Sequence, residues 1–272
     1  MGGGGPFRSG ELCLLYDSKG RQHLTELGAG RAFHYDRGSL SHDVVIGALE
    51  GSTLRSSNGS PLVAVRPRYS DYILNMKRGA AVMYPKDVAA MIMWADVGPG
   101  MTVLEAGTGS GALTMAAARA VGESGVVVTV ERRDDHAIHA RRLIEALGES
   151  VPPVIEYRAG DVADHLEDVR PDRVLLDVPE PWSIVPVAAE HLGGGAVLAC
   201  YVPTVPQVQT VREAMDDAGV FFEVDTFEVL MRHWTIDGRS VRPDHRMIGH
   251  TGFITVGRTR RRITPDEAES VS

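Results

Sequence analysis

A chain of 272 residues with 43% hydrophobic and 24% charged side chains has an ordinary globular make-up. It is long enough for one domain of about 200 residues beside a smaller one. A net charge of −8 argues against a protein that coats nucleic acid indiscriminately, but not against one that grips a folded RNA through local patches. No apolar run reaches the roughly 20 residues that span a bilayer, so no membrane contact is expected. Residues 1–6 lack the apolar core of an export signal. Cys13 and Cys200 offer neither a disulfide framework nor metal-ligand spacing, so the expected setting is a reducing cytoplasm.

In chain order, residues 1–72 read as an N-terminal β-rich module. Short runs at Leu12–Tyr16, Arg21–Leu24 and Leu62–Val65 are separated by turn signals at Ser18-Lys19-Gly20 and Ser57-Asn58-Gly59, with no sustained helical period. Residues 73–262 alternate strand and helix, which predicts an α/β, Rossmann-like doubly wound sheet. Its expected helices are Val88 to about Ala95, the segment after the glycine turn through Arg119, Asp134–Leu147, Ile184–His191 and Val205–Ala218. Later strands are expected at Ala196–Tyr201, Phe221–Leu230 and Gly252–Val256. Residues 263–272 read as a frayed acidic tail.

The stretch Val103-Leu104-Glu105-Ala106-Gly107-Thr108-Gly109-Ser110-Gly111-Ala112 organises the larger domain. It reads as a buried strand, a glycine turn that brings backbone close to a ligand, and a helix start with Ser110 as its expected N-cap. Runs at Val126–Val130, Val154–Tyr157 and Arg173–Leu176 follow. Four successive strands thus carry Glu105, Glu131, Asp161 and Asp177 at or just beyond their C-terminal ends, the edge where such sheets bind ligands. An acidic rim repels a pyrophosphate unless a metal or arginines intervene, so S-adenosylmethionine, with its sulfonium and ammonium groups, is preferred to a nicotinamide cofactor. Glu131 is placed to take the ribose hydroxyls and Asp161 the adenine amine.

Asp177-Val178-Pro179-Glu180-Pro181-Trp182 is the second informative stretch: an acid at a strand end, two prolines that stiffen the loop, and a tryptophan wall. With Met83-Tyr84-Pro85-Lys86-Asp87, the glycine turn, and Arg242-Pro243 followed by Gly249-His250-Thr251, it resembles the TrmI-type tRNA (adenine-N(1))-methyltransferases. Arg37-Gly38, His42-Asp43 and Ile46-Gly47 are similar to that family's N-terminal module, so the likeness runs from about residue 7 to residue 258. One departure is Ala81, where the family usually has Gln.

The resemblance implies a class I methyltransferase sheet and methyl transfer from S-adenosylmethionine to N(1) of adenosine at position 58 in the tRNA T-loop, by a homotetramer. Its cofactor contacts carry over onto Met83, Gly107, Gly109, Ser110, Gly111, Ala112, Glu131, His136, Asp161, Val162 and Asp177. Asp177 corresponds to the catalytic acid. Tyr84, Pro181, Trp182, Pro203, Thr204, Arg242 and His250 fall on the substrate side. Candidate RNA-gripping cations are Arg66, Arg68, Lys77, Arg78, Lys86, Arg239, Arg242, Arg246, Arg258 and Arg260-Arg261-Arg262. His136 and His139 share a helical face, but no further ligand stands at a convincing spacing, so no metal is expected. Two other readings are a small-molecule methyltransferase and a non-catalytic tRNA-binding scaffold; the retained glycine turn and Asp177 speak against the scaffold.

Overall fold

The computed structural model describes residues 5–77, 79 and 82–261. The expected tail, Arg78, Arg262 and Ala81 lie outside them. The chain divides into two compact units. One takes the residues up to 78 together with Arg142–Ser150; the other takes 79–141 and the chain from Val151 onward.

In the first unit, antiparallel pairing follows from short alternating runs broken by turns. Its strands are β1 (Leu12–Asp17), β2 (Gln22–Glu26), β3 (Ala32–Tyr35), β4 (Gly38–Ser41), β5 (Thr53–Arg55) and β6 (Pro61–Val65). A four-stranded sheet runs β2-β1-β6-β5, with β3 and β4 as a separate hairpin. Phe7, Cys13, Leu15, Leu27, Leu40, Val45, Leu62 and Ala64 form its core. Two short helices, α1 (His42–Val45) and α2 (Tyr69–Asn75), stand where no helical period was legible. Buried Tyr72 of α2 donates its hydroxyl to the Leu143 carbonyl at 2.6 Å, one of the links between α2 and residues 142–150 of this unit.

The second unit begins with α3 (Pro85–Trp94), capped by Tyr84 with Pro85 in its first turn. Then come β7 (Thr102–Ala106), α4 (Ala112–Val121), β8 (Val126–Glu131), α5 (Asp134–Ala146), whose residues from Arg142 onward are counted with the first unit, β9 (Ile155–Ala159), α6 (Leu166–Val169), β10 (Arg173–Leu176), α7 (Val185–His191), β11 (Val197–Val202), α8 (Val205–Ala218) and β12 (Phe221–Glu228). A hairpin of β13 (Trp234–Asp237) and β14 (Ser240–Pro243) precedes β15 (Phe253–Thr259). The seven-stranded sheet runs β12-β15-β11-β10-β7-β8-β9. The central pairs are parallel, and only β15 is antiparallel to its neighbours. Parallel strands covered on both faces need continuous apolar runs, and Val103, Leu104, Val174, Leu175 and Leu176 are all fully buried.

Strand order steps outward from β7 to β8 and β9, then returns to β10 on the other side. Such a reversal leaves a crevice beyond the C-terminal ends of β7 and β10.

Two expectations at that edge are corrected. Gly111, not Ser110, caps α4, because the chain turns there through a left-handed conformation (φ 79°) that a side chain resists. Glu105 lies inside β7, one residue short of its end, with no exposed surface, so it adds no carboxylate to the rim.

Gly125 joins α4 to β8 in a space that admits no Cβ: one would stand 2.5 Å from Val121 Cβ and 2.7 Å from the Met101 carbonyl oxygen. Gly125→Ala is expected to destabilise the second unit by about 1–3 kcal/mol through overpacking, read as a lower urea midpoint at unchanged slope.

Candidate active site

The crevice is a cleft of about 610 Å³ whose walls include Gly107, Gly109, Glu131, His136, Asp161, Val162 and Asp177. Ala106, Val130, Arg132, Arg133, Gly160, Val178, Pro179, Glu180, Ser183 and Ile184 complete it. Val178, Pro179 and Glu180 belong to the stretch after Asp177 already read as informative, whereas Arg132, Arg133 and Ser183 were not singled out in the sequence.

Each wall is fixed by the end of a strand. At the end of β8, Glu131 accepts the Gly109 N–H on Oε2 at 3.1 Å and the Arg133 N–H on Oε1 at 3.1 Å. The glycine turn is thereby tied to the neighbouring strand through the carboxylate itself. A Cβ on Gly107 would sit 3.3 Å from Glu131 Oε2, so a side chain there would crowd the space between turn and acid. Beyond β9, Asp161 caps the short turn Val162–His165 by accepting the Ala163 N–H at 3.1 Å, and its other oxygen meets Arg132. Beyond β10, the Asp177 N–H donates to the Ala106 carbonyl at 2.6 Å, and the Gly107 N–H donates to the Asp177 carbonyl at 3.3 Å. The backbone of Asp177 is thus pinned on both sides to the start of the glycine turn.

The carboxyls differ in charge because their surroundings differ. The Ala163 N–H and then Arg132 hold Asp161 below the ordinary carboxylate range. Desolvation pushes half-buried Asp177 up to about 6. Glu105, fully buried, is pushed up to about 8 by the same cause, so it is neutral at pH 7. Thr114 and Thr129 stand near that carboxyl and oppose the shift, but neither completes a hydrogen bond of good geometry with it. The negative charge facing the cleft therefore comes from Glu131, Asp161, Asp177 and Glu180, with Arg132 and Arg133 beside them, and not from Glu105.

The remaining expected residues lie around this cleft. Ser110 and Ala112 are buried beneath the turn, and Met83 is buried ahead of α3. Pro181 opens a short turn, Pro181–Ser183, and Trp182 packs against the core instead of lining the cleft. Tyr84 is half-buried at the start of α3. Thr204 caps α8 and donates to Gln207 Oε1 at 2.6 Å, while the Pro203 carbonyl accepts from His250 at 2.8 Å. Arg242 is exposed on β14.

The cleft suits S-adenosylmethionine on its own chemistry. Glu131 lines it and keeps lone pairs for a ribose diol, and at Gly107 a Cβ would stand 3.3 Å from that carboxylate, so the turn leaves room beside the acid. Several proposed RNA-gripping cations, by contrast, are already occupied. Arg66 pairs with Glu11 and Glu50, Arg68 with Asp71, Lys86 with Asp87, and Arg258 with Glu223.

Comparison with known proteins gives concordant matches. The family described as "tRNA methyltransferase complex GCD14 subunit" matches residues 65–251, and "TrmI-like N-terminal" matches residues 5–54. The tRNA (adenine(58)-N(1))-methyltransferase TrmI of Thermus thermophilus is 38% identical over 243 residues, covering 89% of this chain and 94% of its own. The tRNA (adenine(57)-N(1)/adenine(58)-N(1))-methyltransferase TrmI of Methanocaldococcus jannaschii is 33% identical, covering 90% and 94%. Among solved structures, a SAM-dependent O-methyltransferase from Thermotoga maritima superposes with a TM-score of 0.89 at 29% identity, covering 94% of this chain and 95% of its own. The tRNA (m1A58) methyltransferase TrmI from Aquifex aeolicus gives 0.82 at 26% identity, covering 94% and 100%.

Glu131→Ala is expected to raise the dissociation constant for S-adenosylmethionine by about 10- to 100-fold, the worth of hydrogen bonds to a charged group. Titration calorimetry checks it; unchanged affinity removes Glu131 from cofactor binding.

Proposed function

The chain belongs to the GCD14 and TrmI family of tRNA methyltransferases, and on that premise we propose that Asp177 serves methyl transfer from S-adenosylmethionine to N(1) of adenosine 58 in the tRNA T-loop. The observation that carries the role of Asp177 is its half-buried carboxylate, pinned by its own backbone to the glycine turn at the mouth of the cleft.

When bound, S-adenosylmethionine supplies an electrophilic methyl on a cationic sulfur. The N(1) nitrogen of adenine already holds a free lone pair at neutral pH, so the protein need not remove a proton before attack. What it must do is hold the base and stabilise the positive charge that the ring acquires. Asp177 as a carboxylate accepts a hydrogen bond from the exocyclic amine, which orients the ring and favours that charge. Its partial desolvation strengthens the interaction. The N(1) edge is hidden by pairing and stacking in folded tRNA, so the nucleotide is extruded into the site. Tyr84, half-buried at the start of α3, is the side chain we assign to stack on it. We assign Met83, Ser110, Gly111, Ala112 and Val162 to the support of the cofactor's side of the cleft, and Pro181, Pro203 and Thr204 to the acceptor's side, with Trp182 reduced to core packing behind it.

We also assign self-association to the hairpin β13–β14. Ile236 is 76% exposed, Val241 60% and Trp234 57%, with Leu230, Met231, Met247 and Ile248 exposed on its flanks. An apolar surface of this extent on a two-stranded ribbon calls for a partner, and a homotetramer of this chain is the assembly that we propose. Arg239, Arg242 and Arg246 are exposed on the same segment and are our candidates for contact with tRNA phosphates. No helix among the described residues is long and apolar enough to cross a membrane, and a cytoplasmic setting accords with a tRNA substrate.

Incubation with methyl-labelled cofactor, bulk tRNA and small acceptors tests the activity. Label in tRNA, with reverse transcription arrested at position 58, is the expected result. Label only in a small product would favour a small-molecule enzyme, and no label a scaffold. Asp177→Asn should lower the single-turnover rate by about 10²- to 10³-fold while cofactor binding persists. Because the Asp177 pKa is raised to about 6, the active carboxylate is present above that pH and lost as pH falls through it; the parent's rate should drop there, and this limb should be absent in the variant. Ile236→Asp combined with Val241→Asp should shift the mass in light scattering from the assembly toward the monomer.

A further inference from the structure

The strand β15 enters the sheet between β11 and β12, and two residues shortly ahead of it, His250 and Thr251, each bind a different segment of this unit. The Thr251 hydroxyl donates to Asp87 Oδ2 at 2.7 Å and accepts from Lys86 Nζ at 2.5 Å, in the first turn of α3 next to Tyr84. Asp87 is fully buried and Lys86 nearly so, so this anchor is fixed. His250 reaches the other way. Its Nδ1 stands 3.0 Å from Glu228 Oε2 at the end of β12, and its Nε2 stands 2.8 Å from the carbonyl oxygen of Pro203, in the turn between β11 and α8.

Both partners of the His250 ring are acceptors. A neutral imidazole has one N–H and one lone pair, so it can satisfy only one of them; the imidazolium donates to both. Resting on the reading of this cleft as the site of tRNA methyl transfer, we propose that His250, as an imidazolium, is a positioning residue that clamps the Pro203–Thr204 turn to Glu228. With Thr251, it thereby holds the two segments between which the target base is seated. Neither ring nitrogen is left over for the substrate, so His250 acts through Pro203 and Thr204 rather than by touching the adenine.

The clamp is sensitive to pH because the His250 side chain is 44% exposed and exchanges protons with solvent. Glu228 on β12 and the Pro203 carbonyl favour the charged ring, Lys86 at the start of α3 opposes it, and the Phe253 ring of β15, 4.8 Å away, carries no charge. The balance raises the His250 pKa above its ordinary value, chiefly through Glu228. The clamped form is therefore complete at lower pH and is released as pH rises through that raised value.

Two measurements on the full-length protein test this. Nitrogen-15 NMR titration of the His250 ring reads the clamp without any turnover. A midpoint above the ordinary value of about 6.5, lowered in Glu228→Gln, is expected, and a midpoint at or below it in the parent overturns the proposal. Single-turnover methylation of tRNA across the same pH range reads its consequence. The parent should lose rate as the ring deprotonates, and Glu228→Gln should lose it at lower pH. His250→Gln should lack this limb and be slower at neutral pH on the order of 10- to 100-fold, the cost of a misplaced acceptor, with cofactor affinity unchanged. An alkaline limb identical in His250→Gln and parent also overturns the proposal. If the parent methylates no tRNA at any pH, the functional reading fails while the ring titration still decides the clamp.

Discussion

Where β7 ends, five residues, three of them glycine, must reverse direction before α4 begins, and the three glycine N–H groups are taken up within the protein, by the Asp177 carbonyl, the Glu131 carboxylate and the Thr108 carbonyl. Such a turn has little side-chain substance to hold it. The Glu131 carboxylate supplies the missing support from the neighbouring strand by accepting the Gly109 N–H. From the other side, Asp177 exchanges backbone hydrogen bonds with Ala106 and Gly107. The parallel registers of β7 with β8 and of β7 with β10 bring these two acids level with the turn. The cleft thus depends on strand register: a slip by one residue would carry both acids to the opposite face of the sheet.

The same edge keeps chemically identical groups in different states. Asp161 stays charged because a backbone N–H and Arg132 meet it, Asp177 titrates near 6 because water is partly withheld, and Glu105 is neutral because it is fully enclosed. A carboxylate that interacts with a developing cation benefits from the intermediate condition. It must be ionised near neutral pH, yet dry enough for its charge to be felt.

Most of this sheet was legible in the sequence because strands buried on both faces are unbroken apolar runs. Arg173–Leu176 and Val205–Ala218 have the boundaries that their patterns imply. Residues 232–248 were not legible as strands. Trp234, Ile236 and Val241 sit among charged and polar neighbours and face outward, so their alternation marks no core of this chain. The three short strands β3, β4 and β5 were missed for lack of length. Ser110 is a good capping residue by type, but the local turn required a positive φ, and Gly111 beside it meets that need without strain. The glycine turn and three of the four cleft acids, Glu131, Asp161 and Asp177, were legible as a candidate site; the arginines among them were not, since no pattern distinguishes Arg132 from a surface cation. The pairing of Arg66, Arg68 and Lys86 with acids distant in sequence or adjacent to them likewise lay beyond what counting cations reveals.

The insertion of β15 between β11 and β12 also sets an order of assembly. Residues 221–228 have no place in the sheet until residues 253–259 are available, because β12 bonds only to β15. During synthesis the growing chain therefore carries an open edge at β11 until residues 253–259 have left the ribosome. An unpaired edge of that kind invites pairing with other chains, so the interval before the last strand docks is when this protein is most exposed to aggregation.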